Sequence, residues 1–69
     1  MNIERLVRMA NDIGNFFKAE SDHAVAVNGV ASHLKRFWDP RMRKEIVAYV
    51  DAGGTDLMDL VREAVLKLR

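Results

Sequence analysis

Cysteine is absent from this sequence of 69 residues, and proline occurs only once. The lack of cysteine excludes disulfides, thiolate zinc sites, cysteine-ligated iron–sulfur clusters and cysteine nucleophiles. A chain of this length has room for one small domain, here expected over residues 1–69. Without covalent or metal crosslinks, that domain depends on tight helix packing or on a partner that completes its core.

A strong excess of charge and a long apolar run are also lacking. The net charge is +1, from 11 basic and 10 acidic residues, whereas a dedicated nucleic-acid-binding domain is usually strongly basic. No apolar run reaches the length of about 18 residues that predicts a membrane span. The first five residues include Glu4 and lack an apolar core, so they do not resemble a secretory signal, and we expect cytoplasmic residence.

Apolar residues recur at intervals of three and four along the chain, which is the period of amphipathic helices. A strand is conceivable at residues 24–31 by residue type, but a lone short strand has no partner. We therefore predict an all-α fold, a small bundle of four short helices. The predicted helices cover approximately residues 3–18, 22–38, 40–52 and 56–68.

Capping residues mark the start of each predicted helix. The expected N-caps are Asn2, Ser21, Asp39 and Thr55. Pro40 suits the first position of the third helix. Gly53 and Gly54 supply a left-handed end to that helix and the turn after it.

No arrangement of residues predicts catalysis or metal binding. His23 and His33 lack the four-residue spacing that places two imidazoles on one helix face. Ser32 is adjacent to His33, but neighbouring side chains on a helix point apart. Gly53 and Gly54 precede Thr55 and Asp56 rather than the lysine of a phosphate-binding loop.

The densest feature is the segment 33–45, which we call the corner. It holds five basic residues against two acidic ones, a local net charge of +3, together with two aromatic residues. Arginine beside aromatic residues is typical of protein interfaces and also of surfaces that stack on nucleic-acid bases. The predicted partner-binding residues are His33, Arg36, Phe37, Trp38, Asp39, Arg41, Met42, Arg43 and Lys44.

A purely structural role competes with this interpretation for part of the corner. Helical phase with Leu34 favours Phe37 as a core residue, whereas Trp38 fits core and interface equally well. Asp39 suits a helix cap and could also pair with Arg41 or Arg43. Apolar side chains also fall off the main stripes, and this surplus predicts a partner or a second copy of the chain. They are Met9, Phe16, Val25, Val47 and Met58.

Two stretches resemble the delta subunit of bacterial NAD-dependent formate dehydrogenase. One is residues 6–17, with Met-Ala-Asn followed by Phe-Phe, and the other is residues 33–43, with the more specific Phe-Trp-Asp-Pro-Arg-Met-Arg. The Gly-Gly pair followed by Asp59-Leu60-Val61 also fits. The resemblance covers nearly the whole chain except for about residues 18–28.

The resemblance implies a non-catalytic accessory subunit of a cytoplasmic molybdenum- or tungsten-dependent formate dehydrogenase. Such a subunit would act in assembly, cofactor insertion or stability by docking on the large catalytic subunit. The molybdenum pterin, iron–sulfur clusters, FMN and NAD would lie in the partner subunits, with no cofactor in this chain. The resemblance leaves open whether the chain stays bound or leaves after assembly.

Other interpretations of the corner remain open from the residues alone. Arg41, Arg43 and Lys44, near a helix N-terminus, would suit a cofactor phosphate as well as a protein. The chain could also be a small nucleic-acid-binding or regulatory protein that uses the corner. The helix predicted after Thr55 carries balanced charge, which disfavours reading of DNA.

Overall fold

Four α-helices make up the regular structure of residues 2–69, the part of the chain that the computed structural model describes. The helices are α1 (Ile3–Phe17), α2 (His23–Phe37), α3 (Pro40–Asp51) and α4 (Asp59–Leu66). The described part contains no strand, so the all-α prediction is confirmed. Met1, the first residue of the predicted domain, lies outside the described residues.

Side-chain caps begin the first three helices. The Oδ1 atom of Asn2 accepts a hydrogen bond from the backbone N–H of Glu4 at 2.7 Å. The second cap is Asp22 rather than the predicted Ser21, because the carboxylate of Asp22 accepts from the Ala24 N–H at 3.0 Å. A carboxylate at this position also complements the positive end of the helix, which a serine hydroxyl does not.

The start of α4 was predicted wrongly. Thr55 does not cap it: α4 begins at Asp59, after Met58, which makes no side-chain cap. The Thr55 carbonyl instead accepts a hydrogen bond from the Tyr49 hydroxyl at 2.6 Å, and Asp56 adopts a left-handed backbone with a φ of 71°. These features extend the turn that begins at Gly53 and Gly54, so α4 is shorter than predicted.

A single apolar core lies between the helices. Helices α1 and α4 each contact the other three, while α2 and α3 pack little against each other. The central positions of α1 and α4 explain why both have well-defined apolar stripes. The largest fully buried side chains are Leu6, Val30, Leu34, Ile46, Val61 and Val65.

Gly14 allows α1 to approach α4 closely. A Cβ atom at this position would lie 2.5 Å from a Val61 methyl carbon and 2.9 Å from the Met58 sulfur. Neither distance leaves room for a side chain, so this helix crossing requires glycine despite its cost of about 1 kcal/mol in a helix interior.

Asn11 joins α1 to the segment before α4. Its amide nitrogen donates to the Asp56 carbonyl at 2.8 Å, and its Oδ1 accepts from the Met58 N–H at 3.0 Å. The side chain therefore fixes the backbone where the turn enters α4, a role that Met58 cannot perform by its own side chain.

Replacing Asn11 by alanine should lower the free energy of unfolding by about 1–3 kcal/mol, because the partly buried Met58 N–H loses its acceptor. Urea unfolding monitored by circular dichroism measures this. Asn15→Ala, one helical turn later and exposed, is the matched control and should change stability little. Equal stability of the two variants would show that the Asn11 link contributes nothing.

Candidate docking surfaces

The two aromatic residues of the corner differ in burial. Trp38 is buried, with 5% of its surface exposed, whereas Phe37 is 68% exposed. The prediction of Phe37 as a core residue is therefore wrong. Helix α2 ends at Phe37, and the extended backbone of Trp38, with φ −90° and ψ 137°, turns the indole into the core.

Three further residues of the corner stabilise the junction where α2 ends and α3 begins. Met42 packs against the core, and Asp39 accepts a hydrogen bond from the Met42 N–H at 2.9 Å as the cap of α3. Arg43 donates from one guanidinium nitrogen to the carbonyls of Lys35, at 3.1 Å, and Trp38. Arg43 thus satisfies carbonyls at the end of α2, where cations are favourable.

The exposed face of Phe37 belongs to an apolar groove between α1 and α2. We call it the aromatic groove. Its volume is about 540 Å³, and most of its surface is carbon, with one carboxylate at the edge. The lining residues are Asp12, Ile13, Phe16, Phe17, His33 and Phe37.

Ring contacts order the walls of the aromatic groove. The rings of Phe16 and Phe17 meet edge to face, with centroids 5.1 Å apart. On the opposite wall, the rings of His33 and Phe37 are 4.6 Å apart and tilted by 40°. The Arg36 guanidinium lies 5.9 Å from the Phe37 ring centroid, within the range of a cation–π contact.

Gly29 explains why one phenylalanine of the Phe-Phe pair turns inward and the other outward. A Cβ atom at Gly29 would lie 2.5 Å from a carbon of the Phe17 ring, so the glycine leaves the space that this ring fills. Gly29 thus allows a side chain of α1 to approach the backbone of α2 closely. Phe16, its neighbour on the helix, is left 79% exposed.

Residues 5–65 match the family model described as NADH-dependent formate dehydrogenase delta subunit FdsD. The chain belongs to this family. The match confirms the resemblance inferred from the sequence and includes both walls of the aromatic groove. Neither a curated protein nor a solved structure matches the chain.

Other apolar residues predicted as surplus divide into exposed and half-buried ones in this member of the delta-subunit family. Val25 is 52% exposed on α2, while Met9, Val47 and Met58 pack against the core. Leu66, the last residue of α4, is also exposed. The two most exposed large apolar residues of the described chain, Phe16 and Phe37, both lie in the aromatic groove, so exposed apolar surface is concentrated there.

Several titratable residues outside the corner form ion pairs that stabilise the fold. The Nε2 atom of His23 lies 2.6 Å from a carboxylate oxygen of Glu63 and so joins α2 to α4. Arg62 pairs with Asp59, and Arg69 pairs with Asp51. In residues 2–69 no three His, Asp or Glu side chains are grouped to hold a metal ion.

The three remaining residues predicted for partner binding are exposed. Arg36 lies beside the aromatic groove, Arg41 is in the first turn of α3, and Lys44 is one turn farther along α3. The nine residues predicted for partner binding thus divide into a buried or capping set and an exposed set, and the exposed set lies on more than one face.

None of the helices described is long and apolar enough to cross a membrane.

Proposed function

We propose that this chain is a non-catalytic accessory subunit of a cytoplasmic molybdenum- or tungsten-dependent formate dehydrogenase, and that it docks on the large catalytic subunit. The observation that carries the proposal is the exposed aromatic groove on a chain that belongs to the delta-subunit family. Docking supports assembly, cofactor insertion or stability of the enzyme. Arg36 of the corner provides a basic residue beside the contact.

Phe16 and Phe37 are the expected anchors of the contact. Both rings are more than two-thirds exposed in the isolated chain, and burial of such a ring contributes about 1.5–3 kcal/mol. Aromatic residues in a shallow pocket with a nearby arginine are the usual makeup of an interface hot spot. We expect an apolar side chain of the catalytic subunit to fill the aromatic groove, with Arg36 and His33 at its rim.

The cofactors belong to the partner subunits in this proposal. The sequence has no cysteine, and cysteine thiolates are the usual ligands of iron–sulfur clusters. His33, one of only two histidines, faces the aromatic groove against Phe37. Molybdenum pterin, iron–sulfur clusters, FMN and NAD are accordingly assigned to other chains of the enzyme.

Replacing Phe16 and Phe37 together by alanine tests the docking. Loss of both anchors should weaken binding to the purified catalytic subunit about 100-fold, since removal of two hot-spot side chains costs about 3 kcal/mol. Titration by calorimetry or biolayer interferometry measures the change. The helical circular dichroism of the double variant should remain unchanged, because both rings are exposed.

Val25→Ala is the matched control, since it removes an exposed apolar side chain of α2 outside the aromatic groove. Its affinity for the catalytic subunit should equal that of the unmodified chain. If Phe16→Ala/Phe37→Ala bound as tightly as Val25→Ala, docking through the aromatic groove would be excluded.

Enzyme produced without this chain separates the possible outcomes of docking. A role in cofactor insertion predicts a low molybdenum or tungsten content that later addition of the chain does not restore. A role in stability predicts full metal content and a shorter half-life of activity, which addition of the chain lengthens. Enzyme with normal metal content, half-life and subunit composition would contradict an accessory role.

A further inference from the structure

A second surface, distinct from the aromatic groove, is formed where α4 ends beside α2 and α3. Leu68 is half-buried at its centre and separates two shallow depressions. The depression on the α3 side has a volume of about 270 Å³, and the one on the α2 side about 190 Å³. We call the two together the basic surface.

Cations surround Leu68 on the basic surface. The depression toward α3 is lined by Arg43, Lys44 and Arg69, and the one toward α2 is lined by Lys35 and Lys67. Five of the 11 basic residues of the chain are therefore gathered here. Within residues 2–69 no acidic residue lines either depression, although Asp51 lies close enough to pair with Arg69.

The fold creates this concentration from separate parts of the sequence. Lys35, Arg43 and Lys44 belong to the corner, while Lys67 and Arg69 follow α4, which packs most extensively against α2. The net charge of +1 is therefore distributed unevenly over the surface, and an uneven positive field attracts an anionic partner.

Apolar atoms at the centre distinguish among anionic partners. Leu68 and Val47 offer carbon surface between the cations, and no aromatic ring among the described residues lines the two depressions. Stacking on bases requires such rings. A free phosphate group would gain nothing from burying Leu68. The mixed chemistry fits a protein segment in which carboxylates flank an apolar side chain.

We infer that the basic surface binds an acidic segment of a partner protein, with an apolar side chain of that segment seated between Leu68 and Val47. Aspartate or glutamate residues on either side of it face Lys35 and Lys67 on the α2 side and Lys44 on the α3 side. This inference goes beyond the proposed function, because it concerns a second surface and holds for any partner with such a segment.

An NMR titration of the full chain with a synthetic peptide tests the inference. The peptide is a capped run of glutamates with one central leucine. Chemical-shift changes are expected at the methyl groups of Leu68 and Val47 and at the amide of Lys67. Replacing the central leucine by serine should weaken binding about tenfold, the effect of removing one buried apolar side chain.

Charge reversal distinguishes the basic surface from general electrostatic attraction. Lys44→Glu/Lys67→Glu should weaken peptide binding about tenfold or more, as opposite charges are replaced by like charges. Arg5→Glu/Arg8→Glu makes the same change in net charge on α1, away from Leu68, and should leave the affinity within about twofold. Circular dichroism verifies that both variants fold.

Two results would overturn the inference. One is equal weakening by both charge-reversal variants, and the other is tighter binding of pyrophosphate or an oligouridylate at Leu68 than of the peptide. The variant Phe16→Ala/Phe37→Ala should bind the peptide normally, because the peptide contacts no residue of the aromatic groove. Its result therefore separates failure of this inference from failure of the proposed function.

Discussion

Replacing Trp38 by alanine should lower the free energy of unfolding by about 3–5 kcal/mol, the usual effect of removing a buried tryptophan side chain. The indole is 95% buried at the junction of α2 and α3. A chain of this size has a total stability of only about 3–10 kcal/mol. We therefore expect the variant to be largely unfolded at room temperature or to unfold at much lower urea concentration.

Phe37→Ala is the natural comparison for Trp38→Ala. The adjacent ring is 68% exposed, so its loss should change the free energy of unfolding by less than about 1 kcal/mol. Thermal and urea unfolding of the two variants measure the difference. Equal destabilisation by both would contradict the burial of Trp38 and the exposure of Phe37. A docking assay should accordingly use Phe37 and not Trp38, whose loss affects folding first.

Replacing Gly14 by valine should lower the free energy of unfolding by about 3 kcal/mol, since overpacking of a tight core displaces side chains and backbone. The first added carbon already lies 2.5 Å from a methyl carbon of Val61, which is fully buried. Either α1 shifts away from α4 or the core rearranges around the new side chain. Urea unfolding and the dispersion of methyl NMR signals measure the two effects.

Asn15→Val is the control for the low helix propensity of valine. It places the same β-branched side chain at the next position of α1, which is exposed, and should cost less than about 1 kcal/mol. If Gly14→Val were no less stable than Asn15→Val, the close approach of α1 and α4 would not depend on the glycine.

The helices were predictable because they follow from local patterns. The apolar stripe of α1, the Asp39–Pro40 start of α3 and the Gly53–Gly54 turn act through nearby residues and appear in the structure as expected. The start of α4 was not predictable in this way. It depends on the left-handed Asp56 and on the contact with Asn11, which is 45 positions away in the sequence.

The corner shows where helical phase fails at a helix end. A prediction from helical phase assumes that Phe37 and Trp38 both continue α2, but the backbone leaves the helix at Trp38. The change exposes Phe37, which helical phase placed in the core, and buries Trp38, which fitted core and interface equally well. The sequence did contain evidence for this change of direction. Pro40 disfavours helix at the residue before it, so the chain leaves α2 there and the preceding side chains can turn inward.

The two candidate surfaces illustrate a further limit of sequence analysis. The Phe-Phe pair of α1 and the basic residues after α4 were visible in the sequence, but neither is near the corner along the chain. The packing of α1 and α4 against α2 joins them to it. The sequence therefore predicted a contact-making protein, and the fold presents two surfaces, the aromatic groove and the basic surface, through which we propose that the contacts are made.

Photo-cross-linking from position 37 tests most directly whether this chain acts through the aromatic groove. A benzoylphenylalanine placed at Phe37 should cross-link to the large catalytic subunit in the assembled enzyme, while the same group at Val25, which is also exposed on α2, should not. Cross-linking from position 25 without cross-linking from position 37 would contradict the account.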